Sequence, residues 1–358
     1  VRWTEQRNFE AVLAMLADGR IDIQSMVSHR FDFNDAIQAY DVLTKDRLVL
    51  GIVLNYSALS EPLRQRTIAF GEARSYLTGE PVLGVLGAGN YASRILVPAF
   101  KKAGANLGVI LTSGGVSGAH FGKKMGFSSV STDEAEIFGN PAINTLVIAT
   151  RHDSHANFVI KAIETGKHVF VEKPLALRLE DIDRIQKAWN QRAGISDKMP
   201  LMMIGFNRRF STLVEKMKSL LKPVKVPKAF IYTCNAGAIS ADHWTQDTKM
   251  GGGRLVGEAC HFVDMLRYLA DSPISKFQVM TMGRSSAISV VDDKAVISLQ
   301  FEDGSIGTIQ YFANGGKRFP KERVEVFAVL ERASVFLLLV VDLCLFCHVR
   351  ALCSRGTR

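Results

Sequence analysis

The chain has 358 residues, 47% of them hydrophobic and 22% charged, which indicates a globular protein large enough for more than one domain. Its net charge of +9 comes from scattered lysines and arginines, which argues against a nucleic-acid-binding stripe. Five unevenly placed cysteines exclude a disulfide framework and favour a reducing, cytoplasmic compartment. Residues 1–20 lack a signal peptide's apolar stretch, and residues 335–347 are too short and too interrupted to span a membrane. We therefore expect neither nucleic-acid nor membrane partners.

Residues 1–56 form the first predicted segment. Their pattern predicts helix, strand, helix, strand, and it resembles the C-terminal end of a zinc-type medium-chain alcohol dehydrogenase. In such an enzyme the cofactor loop and metal ligands would lie upstream, and this chain has no cysteine before Cys234. We therefore expect no metal site, and we interpret the segment either as part of a two-enzyme fusion or as a relic that packs against the rest.

A dinucleotide-binding Rossmann domain is predicted for residues 81–200. Short β-rich runs alternate there with helical patterns, which is typical of a doubly wound parallel sheet. The loop GAGNYA follows an apolar strand and precedes a helix, the setting in which backbone N–H groups hold a pyrophosphate. The predicted cofactor-binding residues of this loop are Gly87, Gly89, Asn90, Tyr91 and Ala92.

The end of the second strand bears on the choice between NAD and NADP. A site built for NAD usually has Asp or Glu there to bind the ribose 2′-hydroxyl, whereas this chain has Thr112, Ser113 and Gly114. Hydroxyl groups do not repel a 2′-phosphate, yet no arginine adjoins them. Thr112 and Ser113 are predicted to contact the cofactor, and NAD and NADP remain alternatives.

The strand HVFV ends in Glu172, Lys173 and Pro174. Taken alone, this pattern fits two solvated charges and a proline stop equally well. In an open α/β sheet, however, ligands lie outside the carboxyl ends of the strands. There Lys173 could hydrogen-bond a substrate oxygen and exchange a proton as hydride moves. The Lys173–Pro174 bond is open to the cis form, which is almost confined to bonds before proline.

Residues 201–330 are predicted to form an α+β domain with a largely antiparallel open sheet and helices on one face. The dipeptide Asp303-Gly304 predicts a hairpin turn. After the triple glycine at 251–253, Glu258 and His261 fall on one face of a predicted helix. His261 is therefore the predicted acid/base, with Glu258 as the catalytic partner that orients its ring.

Four further residues are predicted to bind substrate. Asn207 and Arg208 follow a strand in the run GFNRRF, although a solvated basic turn is the alternative there. His243 and Trp244 precede the triple glycine and could line the pocket, although a packed Trp beside a surface His fits equally well.

Five motifs in residues 81–328 resemble, in order and spacing, the glucose-fructose oxidoreductase / inositol dehydrogenase / rhizopine-catabolism (Gfo/Idh/MocA) oxidoreductases. The motifs are GAGNYA, ATRHDSH, AIETGKHVFVEKPLAL, GFNRRF and GGGRLVGEACHFVD. The resemblance implies an NAD(P)-binding Rossmann domain, a second domain whose open sheet often forms a subunit interface, and redox chemistry on sugars or cyclitols. It also implies that Lys173 contacts substrate and cofactor and that His261, which would contact the substrate as well, is the acid/base.

The same motifs assign further residues to the cofactor site, namely Thr150, His152, His155 and Glu172. One position departs from the pattern. Many family members carry Asp four residues before the catalytic histidine, where this chain has Gly257 and then Glu258.

Residues 331–358 are predicted to be an atypical tail that is rich in Leu, Val and Cys. The family would normally continue with sheet here, and we interpret this tail as not native to the fold, for instance as the product of a shifted reading frame. On that interpretation the sheet lacks its last strands. The pair Cys344 and Cys347 is only a weak indication of a metal or redox site.

These patterns together predict an NAD(P)-dependent oxidoreductase. It would transfer hydride between nicotinamide and a hydroxyl or carbonyl carbon of a sugar, nucleotide-sugar or polyol, as a homo-oligomer assembled through the C-terminal sheet. The alternative is a non-catalytic dinucleotide- or sugar-binding protein, inactive through truncation. The sequence leaves the substrate, the reaction direction and the oligomeric state open.

Overall fold

The computed structural model describes residues 3–56, 65–72, 74–283, 290, 292–316, 318, 320–330, 335–342 and 349–355. The chain separates into two compact units, Val1–Gln65 and Arg66–Arg358. Within the described ranges no helix is long and apolar enough to cross a membrane. Cys344 and Cys347 lie outside the described residues.

The first unit contains two helices and two strands in alternation, as the sequence predicts. They are α1 (Glu5–Ala17), β1 (His29–Asp32), α2 (Ala36–Lys45) and β2 (Ile52–Asn55). Strands β1 and β2 pair in parallel, with His29 opposite Ile52, and α2 connects them. Two parallel strands need a crossover connection, usually a helix, and α2 provides it here. Among the described positions of this unit, Ala39 alone is buried.

The first half of the second unit is a doubly wound sheet of seven strands, which confirms the predicted Rossmann fold class. Its strands are β3 (Thr67–Ala69), β4 (Val82–Leu86), β5 (Asn106–Leu111), β6 (Ser129–Ser131), β7 (Thr145–Ile148), β8 (His168–Val171) and β9 (Met202–Ile204). Its helices are α3 (Val97–Lys102), α4 (Val116–Met125), α5 (Ala135–Phe138), α6 (His152–Glu164) and α7 (Leu179–Ala193). The strand order is β3-β6-β5-β4-β7-β8-β9, and all pairs are parallel except that of β3 with β6.

The sheet reaches beyond residues 81–200 at both ends. Strand β3 lies before residue 81, between the two segments predicted from the sequence, and β9 follows residue 200. Both are three-residue edge strands, too short to give a clear alternation in the sequence.

Strand β4 lies at the point where the strand order reverses, since it pairs with β5 on one side and β7 on the other. In such sheets a crevice opens outside the carboxyl ends of the two central strands. The segments that follow β4, β5, β7 and β8 carry the residues predicted to bind cofactor. The topology therefore gathers these residues at one edge.

The second half is built on a mixed, mostly antiparallel sheet. Its elements in chain order are α8 (Thr212–Leu221), β10 (Ala229–Asn235), α9 (Cys260–Ala270), β11 (Ile274–Thr281), β12 (Lys294–Phe301), β13 (Ile306–Phe312), β14 (Glu322–Leu330), β15 (Val335–Asp342) and β16 (Val349–Arg355). The order is β11-β12-β13-β10-β14-β15-β16, and only β10 and β13 pair in parallel. Helices α8 and α9 share a core with the inner strands, in which Met217 and Phe262 pack with Tyr232 and Tyr311.

The last two strands correct one expectation. The sheet does not lack its last strands, because β15 pairs antiparallel with β14, and β16 with β15. The segment Val335–Asp342 is a nearly continuous apolar run with several valines, a composition that favours strand over helix.

Two helices near the crevice begin with a π-helical turn. Residues Ala92–Leu96 precede α3, and residues Leu255–Ala259 precede α9. Turns of this kind are rare and are found frequently at functional sites.

Candidate active site

The glycine-rich loop between β4 and α3 uses its first two glycines differently. Gly87 has a φ of +98°, and a Cβ there would lie 2.6 Å from the carbonyl oxygen of Ala149. Only glycine fits this close approach of two chain segments. At Gly89 a Cβ would meet no atom within 4 Å. The loop therefore packs tightly at Gly87 on the segment that follows β7 and leaves open space over Gly89, as a bound pyrophosphate requires.

A cavity of about 1190 Å³, here called the large cavity, opens over this loop. It exceeds the ~300–1,000 Å³ of ordinary small-molecule pockets, as a dinucleotide with its substrate would need. All twelve residues predicted to bind cofactor line it. They are Gly87, Gly89, Asn90, Tyr91, Ala92, Thr112, Ser113, Thr150, His152, His155, Glu172 and Lys173.

The end of β5 contributes hydroxyl groups and no carboxylate. Thr112 is almost buried, and its hydroxyl accepts a hydrogen bond from the Gly115 N–H at 3.3 Å, whereas Ser113 is exposed. Glu134, which the sequence analysis did not single out, also lines the large cavity, and its carboxylate pairs with Lys161. The contacts at this end leave NAD and NADP as alternatives.

Glu172 and Lys173 follow β8 directly and differ in their polar contacts. The Lys173 ammonium donates a hydrogen bond to the carbonyl oxygen of Gly257 at 2.8 Å, and the Lys173–Pro174 peptide bond is cis. Burial raises the pKa of Glu172 to about 7, against a smaller opposing effect of Lys173. Its Oε1 has no hydrogen-bond partner among the described residues. The site thus holds a lysine ammonium beside a carboxyl group that is easily protonated.

His261 lies in the first turn of α9, is buried, and lines the large cavity. Burial, together with the charges of Arg208 and Lys173, lowers its pKa to about 2, so the imidazole is neutral at physiological pH. Its Nδ1 has no hydrogen-bond partner within the described part of the chain. A neutral ring with a free nitrogen is suited to accept a hydrogen bond, whereas burial and the two neighbouring cations oppose its protonation.

Glu258 does not orient the His261 ring, which corrects the predicted pairing. Its carboxylate accepts hydrogen bonds from Arg254, at 3.0 Å, and from the Tyr311 hydroxyl, at 2.7 Å. Burial alone would raise the pKa of Glu258, but these two bonds outweigh it and hold the pKa below the ordinary value. The cause is the π-helical turn Leu255–Ala259, because the spacing rule that places i and i+3 on one face holds only for a regular α-helix.

Asn207 and Arg208 reach the large cavity from the second half of the unit. The Asn207 amide donates to the Tyr91 hydroxyl at 2.8 Å, which ties this segment to the glycine-rich loop. Arg208 makes a two-pronged ion pair with Glu322, at 2.9 and 2.5 Å, and Tyr232 donates to the same carboxylate. Arg208 is therefore firmly positioned.

A second cavity of about 370 Å³, here called the small cavity, adjoins the first. The residues that line both cavities are His152, Lys173, Arg208, Trp244 and His261. Glu258 and Glu322 line only the small cavity. The shared residues mark the junction at which a substrate in the small cavity would meet a cofactor in the large one.

The structure separates the predicted pair His243 and Trp244. Trp244 lines both cavities, and its ring lies edge-on to His152 with centroids 4.9 Å apart. His243 is exposed, contacts the Thr245 hydroxyl at 2.8 Å, and lies outside the lining of both cavities in the described part of the chain. The pocket-lining role predicted for His243 is therefore wrong, because the ring turns towards its own short helix.

Four residues that position Glu258 and Arg208 were not predicted from the sequence. Arg254 and Tyr311 hold Glu258, and Tyr232 and Glu322 hold Arg208. The i,i+4 spacing of Arg254 and Glu258 is a signal that could have been noticed. The other partners come from distant strands. No group of three or more His, Cys, Asp or Glu side chains in the described ranges is placed to hold a metal ion.

Two domain profiles of one family match the second unit. The profile of the oxidoreductase family GFO_IDH_MocA, NAD-binding Rossmann fold, matches residues 82–195, and that of the GFO/IDH/MocA C-terminal domain matches residues 228–329. The two matched ranges carry the glycine-rich loop, Lys173 and His261.

Curated relatives include two inositol dehydrogenases. The chain is 28% identical over 196 residues to scyllo-inositol 2-dehydrogenase (NAD(+)) of Bacillus subtilis (strain 168), covering 52% of this chain and 54% of that protein. It is 25% identical over 212 residues to myo-inositol 2-dehydrogenase of Thermotoga maritima, covering 57% of this chain and 60% of that protein. The chain thus spans little more than half the length of these relatives.

Solved structures share the fold. Levoglucosan dehydrogenase in complex with NADH and levoglucosan superposes with a TM-score of 0.61 at 23% identity, covering 77% of this chain and 80% of that one. The WlbA dehydrogenase from Bordetella pertussis, in complex with NADH and UDP-GlcNAcA, gives 0.60 at 18% identity, with 73% and 78% covered.

Proposed function

Because the chain belongs to the Gfo/Idh/MocA oxidoreductase family through residues 82–195 and 228–329, we propose that it transfers hydride between a nicotinamide dinucleotide and a hydroxyl-bearing carbon of a sugar or polyol. The observation that carries the proposal is the junction of the two cavities, where Lys173 and His261 lie together. The relatives' names, inositol and levoglucosan dehydrogenases, support a cyclic polyol or sugar as the substrate class.

The glycine-rich loop fits a dinucleotide. The open space over Gly89 allows backbone N–H groups to approach a pyrophosphate, and the large cavity extends from that loop to Lys173. When bound, the nicotinamide supplies the hydride acceptor or donor. The family supports NAD, and NADP stays an alternative because the end of β5 carries only hydroxyl side chains.

Lys173 and His261 divide the work on the substrate oxygen. The lysine ammonium donates a hydrogen bond to this oxygen and stabilises the negative charge that develops as the hydroxyl loses its proton. His261 begins the oxidation neutral, as a proton acceptor must. Burial and the neighbouring cations disfavour the imidazolium, so the proton then passes to water. Glu258, held by Arg254 and Tyr311, shapes the wall of the small cavity.

A substrate screen tests this function. The purified chain is expected to reduce NAD⁺ or NADP⁺ with at least one of myo-inositol, scyllo-inositol and levoglucosan, measured by the absorbance of the reduced cofactor. Enhanced NAD(P)H fluorescence without turnover of any sugar or polyol would favour a non-catalytic binding protein. Absence of both signals would contradict the proposal.

We further propose that the chain forms a homo-oligomer through the face of the second sheet that lies opposite α8 and α9. Ile306 and Phe327 flank Ala229 on this face and are 57% and 41% exposed. Apolar side chains in this setting are common at subunit interfaces. We expect Phe327→Glu to lower the mass measured by light scattering towards that of a single chain, whereas Phe277→Glu on edge strand β11 should leave the mass unchanged. A single-chain mass for the unmodified protein would refute this assembly.

Two expectations from the sequence remain predictions. The resemblance of residues 1–56 to a medium-chain alcohol dehydrogenase is supported by the parallel pairing of β1 and β2 around α2, and no zinc-dependent activity is proposed. A cytoplasmic location is the second.

A further inference from the structure

His152 occupies a position at which the two cavities meet. It is the first residue of α6, directly beyond the carboxyl end of β7, and it lines both the large and the small cavity. The sequence motifs assign it to the cofactor site, and the proposed reaction gives it no part in binding the substrate.

The His152 ring is held on three sides. Its Nδ1 lies 2.8 Å from the carbonyl oxygen of Gly251, and the ring meets Trp244 edge-on at an interplanar angle of 70°. On the third side lies Gly257, where a Cβ would come within 3.1 Å of the His152 Cε1. The ring fits closely here because residue 257 has no side chain.

The contact with Gly251 fixes the tautomer. A carbonyl oxygen can only accept, so Nδ1 must carry the proton, and Nε2 of the neutral ring is left as an acceptor. Nε2 makes no hydrogen bond with any described residue. The neutral form persists because burial, with a smaller effect of Lys173, lowers the His152 pKa to about 4.

We propose that His152 is a substrate-binding residue, whose Nε2 accepts a hydrogen bond from a hydroxyl group of the sugar or polyol at the junction of the cavities. This inference rests on the proposed function and assigns it a residue. Lys173 and His152 then form a donor and acceptor pair, which matches a substrate with two neighbouring oxygen atoms. His152 is half-buried, and its Nε2 acceptor favours substrates that carry the hydroxyl over analogues that lack it.

The test compares His152→Phe with the unmodified chain. Phenylalanine keeps a ring beside Trp244 and Gly257 and removes the acceptor. We expect the KM for the substrate to rise about three- to tenfold, the range for one uncharged hydrogen bond, with kcat changed less and NAD(P)H affinity retained. In the variant, the KM of a deoxy analogue that lacks this hydroxyl should no longer exceed the KM of the full substrate. The control is His243→Phe, which should keep the original KM, because His243 also lies beside the Trp244 ring but lines neither cavity.

A spectroscopic measurement separates this inference from the proposed function. Long-range ¹H–¹⁵N spectra should show His152 as the Nδ1–H tautomer, and its Nε2 resonance should shift when substrate is added to the complex with reduced cofactor. An Nε2–H tautomer, an unshifted resonance or an unchanged KM in His152→Phe would overturn the inference even if turnover is found. If the chain turns over no sugar or polyol, the proposed function is refuted. If the Nε2 resonance of that chain also stays unshifted when the sugar or polyol is added, the inference is refuted as well.

Discussion

Replacing Lys173 by alanine is expected to lower turnover by roughly two to four orders of magnitude, the usual range for general acid/base groups. The ammonium lies at the junction of the two cavities, 2.8 Å from the Gly257 carbonyl oxygen. Alanine removes the donor that polarises the substrate oxygen. Steady-state rates with a sugar or polyol that the unmodified chain turns over measure the effect.

Cofactor titrations separate chemistry from binding in this variant. NAD(P)H affinity should fall much less than turnover, because the pyrophosphate contacts come from the loop at 87–92. Lys173→Arg should not restore the rate, since a bulky planar guanidinium does not place a compact ammonium donor at the substrate oxygen. Lys101→Ala is a matched control, because Lys101 also donates to a backbone carbonyl, that of Met125 at 2.7 Å, but lies outside the cavities described above. Near-normal turnover in Lys173→Ala would leave the Glu-Lys-Pro stretch as a structural strand end.

Valine at Gly89 is expected to abolish cofactor binding while leaving the fold intact. A Cβ at this position meets no protein atom within 4 Å, so the added side chain projects into the large cavity, where the pyrophosphate would lie. Loss of two hydrogen bonds to a charged group, at about 1.5–3 kcal/mol each, lowers affinity by roughly two orders of magnitude or more. Fluorescence titration with NADH and NADPH measures it.

The control for this change is Gly283→Val. Gly283 also has no atom within 4 Å of a Cβ and lies outside the large cavity, so the same substitution there should leave cofactor affinity unchanged. Circular dichroism should show that both variants are folded. Unaltered NAD(P)H affinity in Gly89→Val would remove the Rossmann assignment of this loop.

The sequence predicts the Rossmann half well because its signals are local. Apolar runs, a glycine-rich loop and helical patterns alternate, and the topology of a doubly wound sheet then brings Thr112, Thr150 and Lys173 to one edge. Strand β3 was not predicted, because three residues are too few to show a two-residue alternation. Strands β15 and β16 were not predicted, because their composition is atypical of this fold.

The second half of the site depends on contacts that spacing does not reveal. Glu258 and His261 are three residues apart, but the π-helical turn changes the direction of Glu258, and Tyr311 arrives from β13 to bind it. Adjacent residues also differ, since Trp244 enters the cavities and His243 does not. Side-chain direction in irregular segments is set by tertiary partners, and these partners are distant in the sequence.

The burial of apolar side chains is very unevenly distributed between the two units. All three hydrophobic cores of the described chain lie after Gln65, whereas Phe9, Ile37 and Leu48 of the first unit are 70%, 80% and 85% exposed. Since removal of apolar surface from water is the main favourable contribution to folding, the free energy of unfolding resides almost entirely in residues 66–358. Substitutions in α1 or α2 are therefore expected to change the melting temperature of residues 66–358 only slightly.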